Sequence, residues 1–328
     1  MKLSASEKLR RFYDQFSGDD RVLIIINADP DSIASAMAVK RLLWRKTAGV
    51  NISNINIIQR PDNLAMINLL DVSLTHVDAV RESQFNRFVI VDSQPAHHPA
   101  FWRFGTIHVI IDHHPVIGAK ATFADIRPTY GATASILTEY IRAAGIIPSP
   151  KLATGLYHAI KSDTCNFDRP SLVEDIRAFQ FLYHHANIHL ARKIEHAEMR
   201  LDFLKYFAIA LQNKRIHANR IFTHLGTIKN PDICVLVADF FMRVDSIAWS
   251  IVSATCSQQL IVIFRNDGIR KDAGKLAQKA FSAYGSAGGH KTMARAEIVF
   301  SKLEGIIDHK SEKQVLNWII EQIERKKS

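Results

Sequence analysis

Asp29 and Asp31 stand two residues apart in "NADPDS". In an extended loop both carboxylates can point the same way, with Cα atoms about 7 Å apart. Like charges that close repel, and burying them unpaired is costly, so a divalent cation is the natural third member of the group. Further along, "VIIDHHP" sets Asp112, His113 and His114 in a row between a short β-branched run and a proline. Asp92 in "VIVDSQP" adds a carboxylate, Asp163 in "AIKSDTCNF" can add another from a helix end, and His113 or His114 adds imidazole. Several aspartates with a histidine suit Mn²⁺ or Mg²⁺ better than Zn²⁺ with thiolates. A carboxylate shared by two such ions about 3.5–4 Å apart would activate a water and clamp a phosphoryl group for in-line attack. An aspartate behind a strand is commonly just a helix cap. Convergence of several, with paired histidines, is what points to metal binding.

The elements that must position these residues can be read from periodicity. "SASEKLRRFYDQF" predicts a helix over residues 4–16 with a serine cap. Val22 to Ile26 is a fully apolar strand of the kind buried on both faces of a parallel sheet; it breaks at "NADPD", where Asp31 or Ser32 can cap the helix that follows. Strand and loop recur in "NINIIQRPDNLAMINLL", "NRFVIVDSQP" and "IHVIIDHHP". This alternation predicts an α/β fold with a doubly wound, parallel, Rossmann-like sheet, whose ligands collect at the carboxyl ends of the strands. The aspartates fall at those ends. From "GATASILTEYIRAAG" the chain reads as helical to roughly residue 215, and a second alternating region follows. The predicted organisation is a metal-binding catalytic domain over residues 1–190, a connecting helix over 191–215 and a smaller α/β domain over 216–328.

At 328 residues, with 47% apolar residues and a mean hydropathy of -0.03, the chain has the composition of a soluble globular protein of two domains. No apolar run is long enough to span a membrane, and the charged start "MKLSASEKLRRFYDQF" is no signal peptide, so a cytoplasmic location is expected. Cys165, Cys234 and Cys256 form no Cys-x-x-Cys pair and read as buried thiols. A net charge of +10 favours an anionic partner, although part of the excess lies in the tail "IERKKS", read as a solvated helix end.

The succession "NADPDSIAS", "VDSQP", "IDHHP", "GATAS" and "GLYHAIKSDT" resembles the DHH phosphoesterase superfamily, and "DAGKLAQKAFSAYGSAGGH" resembles its companion DHHA1 domain. Order and spacing match over nearly the whole chain, and the likeness is greatest to the small two-domain members: nanoRNases, pAp phosphatases and dinucleotide phosphodiesterases. The resemblance implies metal ligands at Asp29, Asp31, Asp92, His113 and Asp163, with Asp92 bridging. Asp92, His113 and His114 would be the catalytic group, His114 contacting the scissile phosphate while Asp112 orients a neighbouring histidine. Arg265, Gly288, Gly289 and His290 would hold substrate phosphate on the second domain. It further implies hydrolysis of small nucleotides or short oligonucleotides by metal-activated water, with Mn²⁺ or Mg²⁺ as cofactor, and a homodimer.

One position departs from the pattern. The family's first motif begins with a metal-binding histidine where this chain has Ile25. One firmly held ion and a weaker second are therefore expected. Two alternatives follow: an inorganic polyphosphate or pyrophosphate hydrolase, and a nucleotide-binding pseudoenzyme whose site has decayed at Ile25. Other candidates carry less. The stretch from Gln59 to Asn63 is as readily a turn as a substrate contact. His97 and His98 in "AHHPA" read as ordinary loop histidines, and His158 reads as helix packing.

Overall fold

The computed structural model describes residues 3–118, 120–168, 171–197, 199, 201–308 and 310–324. The chain divides into two compact units, Met1–Glu198 and Met199–Ser328.

The first unit opens with α1 (Ala5–Tyr13), whose N-cap Ser4 accepts the Glu7 N–H through its hydroxyl. Then β1 (Arg21–Ile26) leads into α2 (Pro30–Leu42), and β2 (Gly49–Asn54) into α3 (Pro61–Leu70). The two-residue β3 (Thr75–His76) precedes β4 (Arg87–Val91), β5 (Val109–Asp112) and β6 (Phe123–Ile126). Four helices complete the unit: α4 (Thr133–Ala143), α5 (Pro150–Asp163), α6 (Val173–Tyr183) and α7 (Ile188–Glu195). The strands form one sheet in the order β3-β2-β1-β4-β5-β6, with every pairing parallel.

Alternate residues of the apolar strands serve opposite faces. Val22, Ile24, Ile26, Val89, Val91, Val109 and Ile111 share a core with residues from all seven helices of this unit. Leu23, Ile25, Phe88, Ile90 and Ile110 face the other way, onto Val77, Val80, Phe101, Phe104 and Ile107. A doubly wound sheet would carry helices on both faces. The second face is covered by short 3-10 turns instead, because Pro95 and Pro99 begin two of them within the β4–β5 connection and interrupt any longer helix there. Ile25 is wholly buried in this second cluster.

The second unit holds α8 (Leu204–Asn213), β7 (Arg215–His217), β8 (Arg220–Thr227), α9 (Asp232–Phe241), β9 (Trp249–Cys256), β10 (Gln259–Asn266), α10 (Ala273–Phe281), β11 (Ser286–Gly289), β12 (Met293–Val299) and α11 (Glu312–Glu324). Its sheet runs β11-β12-β10-β9-β8-β7, antiparallel except for the β8–β9 pair. One face packs on α10 and α11, the other on α8 and α9. The single connecting helix expected over 191–215 is replaced by two. α7 ends at Glu195 and packs with the first unit, whereas Tyr206 and Ala210 of α8 belong to a core of the second. Cys234 and Cys256 are buried as expected, but Cys165 is only half-buried. Residues 325–328 of the basic tail lie outside the described residues. Among the described residues no helix is long and apolar enough to cross a membrane.

Candidate metal and phosphate site

The parallel sheet delivers its acidic residues to one edge, and each arrives by a different local device. Asp29 is the N-cap of α2: its Oδ1 accepts the Ser32 N–H at 2.9 Å, while Ser32 Oγ accepts the Asp29 N–H at 3.0 Å. The cap expected at Asp31 or Ser32 thus falls earlier, at Asp29, because this reciprocal pair satisfies two orphan N–H groups at once. Asp31 consequently lies in the first turn of the helix, fully buried. Its two oxygens accept the backbone N–H groups of Thr133 at 2.6 Å and Ala134 at 2.8 Å, the first residues of α4. A helix N-terminus is where a carboxylate is best received. Asn56 brackets the preceding loop, bonding Ala28 through both its N–H and its carbonyl.

Asp92 follows β4 with a left-handed backbone, φ 56°. Aspartate tolerates this region better than most residues, and such turns concentrate at functional sites. Thr133 Oγ1 donates to Asp92 Oδ1 at 2.9 Å, so α4 holds both Asp31 and Asp92. Gly131, just before α4, has no room for a side chain: a Cβ there would lie 2.7 Å from the Thr164 methyl. That close approach lets the loop before α4 pack on the segment that follows Asp163, the last residue of α5.

Asp112 closes β5 and is fully buried. Its Oδ1 accepts the His113 N–H, the His114 N–H and, at 2.8 Å, His114 Nδ1; its Oδ2 accepts from Gln94 Nε2 at 2.7 Å. Asp112 therefore orients His114 and builds the turn. His113 Nδ1 lies 3.2 Å from the Tyr130 carbonyl oxygen, an arrangement that in the neutral ring puts the proton on Nδ1 and the lone pair on Nε2. Nε2 lies 3.2 Å from Asp163 Oδ2, 3.4 Å from Asp92 Oδ1 and 4.0 Å from Asp31 Oδ2, yet has no well-aligned hydrogen bond among the described residues.

One ligand atom each from Asp31, Asp92, His113 and Asp163 thus lie within 4.8 Å of one another. Burial and the neighbouring carboxylate of Asp163 push Asp31 up to about 7. Burial, then Asp31, Asp29 and Asp163, raise Asp92 well above its ordinary value. Burial alone would lower His113, but the carboxylates of Asp163 and Asp31 outweigh it and hold the ring up at about 9. No lysine or arginine pairs with Asp31 or Asp92 among the described residues. Several oxygens and one imidazole nitrogen, gathered with no lysine or arginine on Asp31 or Asp92 among the described residues, fit a hard divalent ion that would displace the histidine proton.

Asp29 is not in this four-residue group, and Ile25 offers no donor. Near the group stands His97, a residue that sequence alone marks only as a loop histidine. It lies edge-on to His114, with ring centroids 5.4 Å apart, and Asp112, His97 and His114 form a second set of close ligand atoms. Gln94, Thr133, Asn56 and His97 carry no periodic signal; the motifs "VDSQP" and "GATAS" contain the first two.

The remaining predicted residues lie in the second unit. Arg265 pairs across the sheet with Met293, and the His290 N–H donates to the Met293 carbonyl at 2.7 Å, so Met293 stands between them. The Arg265 side chain is engaged by Asp239 of α9, Nε to Oδ1 at 2.7 Å. Gly289 has φ 148°, and a Cβ there would meet the Met293 carbonyl oxygen at 2.4 Å, so packing alone demands glycine. At Gly288 a Cβ would meet nothing closer than Gln278 Nε2 at 3.7 Å.

Residues 21–160 match the DHH family, N-terminal domain. An uncharacterized protein of Methanocaldococcus jannaschii is 32% identical over 321 residues, which is 98% of this chain; the chain spans only 65% of that relative's length. Among solved structures, an exopolyphosphatase-related protein from Bacteroides fragilis superposes with a TM-score of 0.78 at 15% identity, covering 99% of this chain and 97% of its own. RecJ of Thermus thermophilus, solved in complex with Mn²⁺, superposes with a TM-score of 0.52 at 14% identity, over 96% of this chain and 54% of its own. At those identities the likeness is one of fold. The all-parallel sheet and the Asp112-His113-His114 turn both fall within residues 21–160, the part of the chain that matches the DHH family, N-terminal domain.

Proposed function

We propose that this chain is a metal-dependent phosphoesterase that hydrolyses phosphate esters of small nucleotides or short oligonucleotides. The observation that carries the reading is the convergence of buried Asp31 and Asp92 with half-buried His113 and Asp163, with no lysine or arginine on Asp31 or Asp92 among the described residues. These four residues would hold Mn²⁺ or Mg²⁺. Such an ion, when bound, lowers the pKa of a water on it and offsets charge building on phosphoryl oxygens. The rest of the work falls to the protein. The α4 N–H groups of Thr133 and Ala134 keep Asp31 in place, and the Thr133 hydroxyl does so for Asp92. His114, with Nδ1 committed to Asp112, presents Nε2 to a phosphoryl oxygen, and Asp112 stabilises the ring when it carries charge.

A nucleotide-type substrate is supported by the net charge of +10 and by Gly288, Gly289 and His290, one strand removed from Arg265, which in the resembled family would hold substrate phosphate. Asp29 outside the four-residue group and Ile25 in an apolar cluster favour one firmly held ion over two.

The test is a panel of pApA, a 3′-phosphorylated nucleotide and inorganic polyphosphate, assayed with Mn²⁺ and with Mg²⁺. Expected is metal-stimulated release of mononucleotide or phosphate from the nucleotide esters, lost in Asp92→Ala and His113→Ala. A wild-type protein inert to the whole panel overturns the reading, and turnover of polyphosphate alone replaces the substrate class. Activity appearing only in Ile25→His would make the natural chain a binding protein.

A further inference from the structure

We infer that His97 is a second imidazole contact for the substrate phosphoryl group, set beside His114 by Gln94; the inference rests on the phosphoesterase reading above. Gln94 is fully buried and reaches into both loops. Its side-chain amide donates to Asp112 Oδ2 at 2.7 Å and to the Pro115 carbonyl at 3.0 Å, and its carbonyl oxygen accepts the Ile117 N–H at 2.8 Å. These bonds tie the turn that carries His114 to the β4 loop. The backbone N–H of the same residue donates to His97 Nδ1 at 3.1 Å, and Ser93 Oγ lies 3.1 Å from that nitrogen.

The tautomers follow from these partners. An Nδ1 that accepts a backbone N–H has no proton, so the neutral His97 ring carries its hydrogen on Nε2. His114 is fixed the other way round, with Nδ1–H on Asp112. One neutral ring thus offers a donor where its neighbour offers an acceptor, and the rings sit edge to face at 5.4 Å. His97 Nε2 makes no hydrogen bond among the described residues, and His97 is half-buried, not sealed. A group with both acceptor oxygens and an ionisable oxygen matches such a pair, as a phosphate monoester does. The nitrogen bound to the loop is structural; the far nitrogen is the one for the ligand.

That division of labour gives the test. Inorganic phosphate binding to Mg²⁺-loaded protein is measured by calorimetry, alongside Mn²⁺ binding followed by electron paramagnetic resonance. His97→Asn keeps a loop acceptor near Nδ1 but lacks the far donor, whereas His97→Gln keeps an N–H near Nε2. Loss of one hydrogen bond to a charged group predicts that His97→Ala and His97→Asn weaken phosphate binding by roughly ten- to a hundredfold. His97→Gln should stay within a few-fold of wild type and Mn²⁺ affinity should stay unchanged in all three. Wild-type phosphate affinity in His97→Asn overturns the inference, as does a parallel collapse of Mn²⁺ affinity in His97→Ala. Wild-type protein that binds phosphate through His97 but hydrolyses no ester removes the phosphoesterase reading and leaves this contact standing. Wild-type protein that binds no phosphate removes the contact.

Discussion

The first unit contains two buried groups of carboxylates, and they are neutralised in opposite ways. Around β6, Asp125 accepts from Arg127 through Nε and Nη2 and from Lys8 Nζ at 2.7 Å, while Arg127 Nη1 reaches Glu139 at 2.6 Å. The Tyr140 hydroxyl donates to Asp125 and the Tyr130 hydroxyl to Glu139. Burial by itself would raise the Asp125 carboxyl, but the Arg127 guanidinium and Lys8 hold it below its ordinary value. At the site, Asp31 and Asp92 have only histidine as an ionisable partner of opposite sign among the described residues, and burial pushes both up. One group is completed by side chains. The other is left for something from outside. The two are neighbours: the Arg127 N–H donates to the Asp112 carbonyl, and Tyr130 supplies the carbonyl that orients His113.

This contrast can be broken most forcefully at Arg127. Removing one partner of a buried ion pair leaves an uncompensated charge, so Arg127→Met should cost about 3–5 kcal/mol in urea unfolding, with or without metal. Asp92→Asn in metal-free protein should instead leave stability unchanged or slightly raised, since it removes the cost of burying an ionisable carboxyl among others; a loss comparable to that of Arg127→Met would show that the site is internally balanced.

Mn²⁺ provides the next largest effect. At a hundred times its dissociation constant it should stabilise the wild type by about 2.7 kcal/mol, and Asp31→Asn should abolish the gain. No metal-dependent rise in melting temperature would sink the assignment of the four-residue group. Asp112→Asn keeps shape but weakens the hold on His114, and turnover should drop by about 10- to 100-fold, the range typical of residues that orient metal-site side chains.

The smallest and most diagnostic effect is on pH dependence. Asp31 has a folded value near 7, above its ordinary carboxyl value, so the folded metal-free protein holds a proton that the unfolded chain releases. Metal-free stability should therefore fall as pH rises from about 4 to about 7, by no more than about 1.4 kcal/mol per pH unit for each proton. Asp125 is lowered, so its contribution is present above the ordinary carboxyl value and is lost as pH falls through the folded one. Saturating Mn²⁺ should erase the first trend and leave the second. Unfolding curves between about pH 3 and pH 8 with EDTA or Mn²⁺ would separate them.

Much of this arrangement is legible in the residues. The apolar runs ending at Asp92 and Asp112 read as strands, and strand-end aspartates in a parallel sheet must share an edge. Less legible is which member of "NADPDS" caps α2, because Asp29, Asp31 and Ser32 all have suitable side chains and only three-dimensional packing sends Asp31 to α4. His97 looks like a solvated loop residue in sequence since one histidine has no period; its place depends on Gln94, through long-range hydrogen bonds that sequence spacing does not encode. The break between α7 and α8 is hidden by helical periodicity on both sides of it.

The grip of α4 on Asp31 has a consequence for any ion that the proposed site would take up or lose. Two main-chain amides, not a metal, decide where that carboxylate sits. The socket is therefore cast by the same helix that packs the core, and emptying or refilling it requires no refolding. Ion exchange would then be a local event, separable from the life of the fold.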